Sequence, residues 1–417
     1  MKKNLFYPVC ALLVSTAFMF QACLKDTSTR TYTMYSPVYK SVEEVTTSIK
    51  SDAPQPVIKP GKIFLLGNYI FLNEIDKGVH IIDNTNPAAP VNKHFIAIPG
   101  NLDLAVKGNT LYADLYTSLV AINISNPAAV QVKKITEKVF PRRQYLGGFA
   151  EDTSRIIVDW IKKDTTVNYN NQPAIWWGSA DFMLFNSAQL ASSAASAPVG
   201  VGGSMARFAL LNNYLYTVTY ADLNIFNISE ADNPIFSNKI NVGWNIETIY
   251  PFRNNLFIGS QNAMYVYNTA NPAQPSQTST FSHVTSCDPV IADDNFAYVT
   301  LRSGTNCRTN VNRLDIVSIQ NLQSPVLSKS YPLTNPHGLS KSGNTLFICD
   351  GTDGLKVFDA ASPTNVKLLQ HVKGLNAYDV IAKNKLAIVV GEDGLYQYDY
   401  SDVSNLILKS KISYTSK

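Results

Sequence analysis

VHIIDNTNPAAP, residues 79–90, sets an apolar run against an acidic residue and then breaks it with Asn-Pro. The chain writes the phrase again as LVAINISNPAAV (119–130), MYVYNTANPAQP (264–275) and LKVFDAASPTNV (355–366). The residue closing each such run is Asp83, Asn123, Asn186, Asn227, Asn268, Ser318, Asp359 and Asp399, at spacings of 40, 63, 41, 41, 50, 41 and 40. Five of these seven spacings share one period, and the other two read as that period with an insertion. Within one unit, residues 101–135, four short runs (LDLAV, TLYADLY, LVAINI, VQVKKI) are separated by Gly-Asn, a short connection and Asn-Pro. Runs of five to seven β-branched or aromatic residues bounded by turn formers are strands; a helical solenoid would need apolar spacing of three and four over longer stretches.

Four strands per repeat of about 40 residues is the blade of a β-propeller. The third strand of each unit is apolar on both faces because neighbouring blades cover both. The Asp or Asn at its end hydrogen-bonds the following turn through its side chain, and Pro stops the ladder. Pro follows the marker by four residues in four copies and by seven in two, whereas Asn186 and Asp399 lack it. The expectation is an all-β propeller over residues 60–417 with eight blades. Seven remain open if the third unit, whose last strand would come from the weak ASSAASAPVGVGG, forms no blade, and a terminal strand is a further way to complete a unit.

The runs VHIID, LVAIN and LNIFN with their Asn-Pro turns resemble the LVIVD repeat family. The longer stretches 60–90 and 98–127, with VFP at 139–141, look like the core of LVIVD-repeat envelope lipoproteins. The resemblance implies a propeller on a lipid anchor and carries no functional residues with it.

The N-terminus supports the anchor. Residues 1–22 have a basic start and an apolar run from Val9 to Phe20, which reads as a secretion signal and is too short to span a bilayer. FQAC (20–23) is similar to a bacterial lipobox, which makes Cys23 the lipidated first residue; Phe20 and Gln21 depart from the commonest pattern. Residues 23–59, rich in Ser, Thr and Pro, read as a flexible tether, with VEEVTTSI as one optional helical turn. LKD after Cys23 resembles a surface-export signal, so the expected place is the outer membrane, facing either side. The formal charge of +4 includes Lys2 and Lys3, too little and too dispersed for nucleic acid.

Of the remaining cysteines, Cys287 and Cys307 flank the first two strands of the sixth unit. Their strand ends lie side by side, so a disulfide is expected. Cys349 reads as a buried free thiol. CDGTDG (349–354), with GEDG and IDKG at matching places, reads as Gly-containing hairpins rather than a metal loop. No cofactor, metal or nucleophile motif is expected. Asp103, Glu247, Asp288, His337 and Asp379 fall at the starts of first strands, where they would form a polar ring at the channel mouth, hydrating the channel or holding a ligand. The surplus of the third unit, KKDTTVNYNNQPAIWWGSA (162–180), offers Tyr169, Trp176 and Trp177 as a platform for a sugar ring or a protein partner, or as cover for a blade face. The functional expectation is a non-enzymatic binding or assembly module with an envelope protein or polysaccharide as partner. The alternatives are a glycan-binding lipoprotein using that insert and an enzyme at the channel mouth.

Overall fold

A computed structural model describes residues 29–143, 145, 155–168, 200–284, 289–304 and 310–415. Cα packing divides the chain into two units: residues 1–39, 144–150 and 157–185, and residues 40–143, 151–156 and 186–417. Among the described residues the second unit carries seven antiparallel sheets, the blades of a propeller: six have four strands, and the first has four with one further strand on each edge. Their first, innermost strands are Pro60–Leu66, Leu104–Lys107, Phe208–Leu211, Ile246–Phe252, Val290–Ala292, Leu339–Ser342 and Ala377–Lys383. Each blade takes its four strands consecutively from the chain, so no terminal strand completes a blade.

Seven blades, not eight, correct the primary expectation. The third unit is the one that fails. Its apparent second strand runs on as Arg155–Asn168 and pairs with Thr29–Ser41, outside any blade. In the described part of its apparent fourth strand, Val201–Gly202 pairs with Leu65 and Phe64 of the innermost strand of blade 1. The marker Asn186 lies outside the described residues. The tether expectation is corrected as well. From Thr29 the segment is a strand, followed by a helix Val42–Thr47 closed by a reciprocal Ser41–Glu44 capping box. Lys50–Asp52 then adds a fifth outer strand to blade 1.

The repeated phrase has a visible use. The side-chain oxygens of Asp83, Asn123, Asn227, Asn268, Asp359 and Asp399 accept the backbone N–H two residues on, closing the turn between third and fourth strands. The same turn receives the neighbouring blade. Tyr112 Oη donates to Ala231 O (2.8 Å), Tyr216 Oη to Pro272 O (2.8 Å) and Tyr331 Oη to Pro363 O (3.1 Å). Apolar clusters fill the spaces between blades, for instance Ile225 and Leu223 against Ile249 and Ile258. The third strands are buried nearly throughout, as Gly78–Asp83 shows.

Every fourth strand carries a β-bulge shortly after its start, opposite Ile81/Ile82, Ala121/Ile122, Ile225/Phe226, Val266/Tyr267, Ile316/Val317, Val357/Phe358 and Gln397/Tyr398. The bulged residue is Lys93, Lys133 and Lys409 in blades 1, 2 and 7. Bulges and lysines on the outer strand are how an open sheet edge avoids pairing with another chain.

Ring closure rests on side chains. Asn84 of blade 1 and Gln397 of blade 7 exchange two amide hydrogen bonds of 2.8 and 2.7 Å, both groups buried. Ser410 Oγ donates to Pro87 O (2.7 Å), and Ile63, Leu72 and Ile82 pack on Ile381, Ile388 and Leu395. Asn84→Ala strands the Gln397 amide in an apolar seam, so we expect a loss of roughly 2–3 kcal/mol. Urea unfolding checks it, and a loss below about 0.5 kcal/mol would show that closure does not depend on this pair.

Candidate functional site: the filled channel and the loop-bearing face

The first strands line the axis, as a propeller requires, but the axis is occupied. Residues 200–207, GVGGSMAR, run along it before entering blade 3. Gly200 N donates to Val106 O of blade 2 (3.1 Å) and Gly203 N to Ile63 O of blade 1 (3.0 Å). Ser204 N donates to Asp379 Oδ1 of blade 7 (3.0 Å), and Ser204 Oγ accepts the N–H of Leu339 in blade 6. Lys62 Nζ donates to Met205 O (2.9 Å), Ile249 N of blade 4 to Ala206 O (3.0 Å), and Arg207 N to Asp103 Oδ2 of blade 2 (2.6 Å). Five innermost strands thus hold one short segment. Its glycines are what let it fit: a Cβ on Gly200 would lie 2.1 Å from Phe64 Cε1, and one on Gly203 would lie 1.8 Å from Asp379 Oδ2.

The expected polar ring therefore divides. Asp103 and Asp379 are buried and turned to the plug, which corrects the expectation that they hydrate an open channel. Lys62 Nζ stands 3.8 Å from Asp103 Oδ2 with both side chains fully enclosed. Burial outweighs their attraction: it lowers Lys62 to about 8 and raises Asp103 to about 6. Burial also raises Asp379 to about 7, against the pull of the Val380 and Ser204 N–H groups. Among the described residues Asp379 Oδ2 has no hydrogen-bond partner, which favours the protonated acid.

Glu247 and His337 stay at the strand ends on the loop-bearing face, both close to Arg302. Glu247 Oε1 accepts Gln261 Nε2 at 2.9 Å. His337 meets Tyr378 edge to face at 5.4 Å, and burial with the Arg302 charge holds its pKa at about 3, so the ring is neutral. Asp288, Cys287, Cys307, Tyr169, Trp176, Trp177 and Cys23 all lie outside the described residues. Cys349 is buried and free, its thiol pushed up by burial. Asp350 in the CDGTDG hairpin accepts the N–H groups of Thr334 and Asn335 and the Lys356 ammonium (2.5 Å). Among the described residues no group of His, Cys, Asp and Glu is placed to hold a metal ion.

The sequence reading missed the plug, whose only signal was a glycine-rich stretch poor in bulky side chains. It also missed Trp244 and Tyr220 on the loop-bearing face. Trp244, 72% exposed, sits in the connection from blade 3 to blade 4, and Tyr220, 55% exposed, in the loop between the second and third strands of blade 3. Their ring centroids are 6.3 Å apart at 77°. The Trp244 loop is pinned on both sides. Val242 N and Gly243 N donate to Ala221 O (2.9 and 3.3 Å), Ile246 N to Tyr220 O (3.0 Å), and Gln261 N to Asn245 O (3.1 Å). The Tyr220 turn is fixed by Thr219 Oγ1, which accepts the Asp222 N–H at 3.1 Å. A lone Trp between Gly and Asn in a blade connection was the legible trace of this pair.

The LVIVD repeat model matches residues 60–95 and 101–137, the first two blades. Blades 1 and 2 of this β-propeller carry LVIVD repeats. No curated protein is significantly similar to the chain in sequence. Among solved structures, the chain is similar to a Lactobacillus plantarum protein (13% identity, TM-score 0.53, covering 86% of this chain and 97% of that one). It is also similar to the periplasmic gluconolactonase PpgL of Pseudomonas aeruginosa (10% identity, TM-score 0.55, 85% and 97% coverage). Sqt1 of Saccharomyces cerevisiae matches at 8% identity and TM-score 0.50, with 86% of each chain covered. At such identities the chain shares their fold alone.

Proposed function

We propose that the chain is a lipid-anchored binding or assembly module of the cell envelope, working through the face that carries the blade-to-blade loops. The observation that carries this reading is the Trp244–Tyr220 pair: two large aromatic side chains held out in solvent by loops that main-chain hydrogen bonds make rigid. Leaving a Trp exposed forfeits burial that a core position would gain, and loops on a rigid scaffold are where recognition concentrates. The filled channel supports the same reading, since Asp103 and Asp379 are committed to holding the plug.

The anchor at Cys23, an outer-membrane location and the Cys287–Cys307 disulfide belong to the proposal through the leader and the cysteine spacing. Mass spectrometry of the protein extracted from membranes reads the anchor and the disulfide together. The expected N-terminal peptide begins at Cys23 with acyl chains, and Cys287 and Cys307 resist alkylation until reduced. A different N-terminus refutes the anchor, and free alkylation refutes the disulfide.

The binding face is tested in living envelopes with a photo-crosslinking residue at Asn241, beside the aromatic pair, and a control at Lys367 on the outer strand of blade 6. A discrete adduct at 241 that Tyr220→Ala removes, with none at 367, supports the face. The same adducts at both positions, or none at either, contradict it.

A further inference from the structure

Resting on that reading of the face, we infer that the Trp244–Tyr220 corner is a carbohydrate subsite that takes a neutral sugar ring of an envelope polysaccharide. The two rings stand at 77°, so they form a corner with a floor and a wall. A pyranose has an apolar C–H face that stacks on an aromatic ring and a rim of hydroxyls that need hydrogen-bond partners. The surroundings supply such partners as neutral amides: Asn241 and Asn262 are exposed, and Asn245 and Gln261 half-buried, on the loops flanking Trp244. Asn241 Nδ2 lies 3.4 Å from Ala221 O, and Gln261 N binds Asn245 O, so these amides belong to the pinned loops. The charged neighbours are already paired. Asp222 binds Lys239 at 2.7 Å, and Glu247 takes Gln261 Nε2 at 2.9 Å.

The size of the apolar patch favours a sugar over a protein. Most other exposed large apolar side chains, such as Val91, Ile235, Phe236, Val326, Leu327, Leu368, Ile407 and Leu408, lie at the starts of outer fourth strands. Among the described residues, the loops of blades 3 and 4 on this face expose the two rings and Val284 as large apolar side chains. A standard protein interface buries about 800 Å² per partner around a larger apolar centre, whereas one stacked ring with amide partners suits a single saccharide unit. Gly243 keeps the floor in place, because a Cβ there would stand 2.6 Å from the Tyr265 hydroxyl beneath it.

The test is affinity electrophoresis of the purified chain, residues 23–417, through gels containing laminarin, mannan, xylan, amylopectin or solubilised peptidoglycan glycan strands. The expected result is retardation by at least one of them. Trp244→Ala and Tyr220→Ala should each weaken it roughly tenfold or more. Trp244→Phe should keep part of the affinity, and Lys367→Ala, on the outer strand of blade 6, should leave it unchanged. No retardation by any polysaccharide, or equal retardation of wild type and Trp244→Ala, overturns the inference. The photo-crosslink at Asn241 separates the two ideas. A defined protein adduct there, with no polysaccharide binding, leaves the binding face standing and removes the sugar. Absence of both removes both.

Discussion

Gly203→Ala is expected to destabilise the propeller by roughly 3 kcal/mol or more, although it adds only one methyl group. The added Cβ would meet Asp379 Oδ2 at 1.8 Å and Cγ at 2.7 Å. Asp379 cannot step aside. Gly338 lies on its other side, where a Cβ would come within 2.0 Å of Oδ1, and Oδ1 is held by the N–H groups of Ser204 and Val380 at 3.0 and 2.9 Å. The methyl must therefore push the plug away from blade 7, and the buried N–H of Ser204 loses its acceptor. Asp379→Ala removes both the obstacle and the acceptor, so Gly203→Ala in that background should cost clearly less than in wild type. Urea denaturation of the four members of this cycle reads the coupling. Additive effects of the two substitutions would mean that residues 200–207 do not press on Asp379.

The second large effect depends on pH. Folded Asp379 and Asp103 hold their protons to about 7 and about 6, against an ordinary value of 3.8. Between about pH 4 and pH 7 the folded chain then binds more protons at these groups than the unfolded chain. Their contribution to stability is fully present below the ordinary value and is lost as pH rises through the folded values. Two groups act in the opposite sense. His337, lowered to about 3, loses stability in acid below its ordinary 6.5, and Lys62, lowered to about 8, recovers stability between there and 10.5. The total curve mixes these terms, so the informative quantity is a difference. Asp379→Asn is neutral at every pH and keeps an oxygen for Ser204 and Val380. It should match or fall below wild type at pH 4.5 and exceed it by a few kcal/mol at pH 7.5, where the wild-type carboxyl, raised to about 7, has lost its proton. A gap independent of pH would show that Asp379 titrates as an exposed carboxylate does.

The blade itself was legible because its determinants are local. The marker residues, the Asn-Pro turns and the strands buried on both faces all follow from period-two patterning and turn chemistry. The structure adds that the same turn receives a tyrosine from the neighbouring blade. The third unit misled because RIIVDWI has the composition of a blade strand. Its partner, TRTYTMYSPVYKS, was hidden in a segment whose Ser, Thr and Pro content read as a tether. Alternating Thr and Tyr there was a strand signal, and the Pro is tolerated at a sheet edge. The plug was illegible for a different reason. Residues 200–207 owe their place to contacts with five strands distant in sequence, and glycines chosen for lack of bulk leave no pattern.

The ring of first-strand polar residues shows the same limit. Asp103, Glu247, His337 and Asp379 were found by their position in the repeat. Whether such a residue faces inward to a plug or outward to a loop is decided by what fills the channel. Trp244 and Tyr220 sit in connections of ordinary length, so a search for insertions passed over them.

Hydrogen–deuterium exchange of the peptide spanning Val201–Arg207 tests the central structural claim most directly. If the chain's own segment fills the channel, the amides of Gly203, Ser204 and Arg207, bonded to Ile63, Asp379 and Asp103, exchange as slowly as those of the innermost strands. Exchange at the rate of an unstructured peptide would mean that the channel is open, and its buried carboxylates would return as a candidate site.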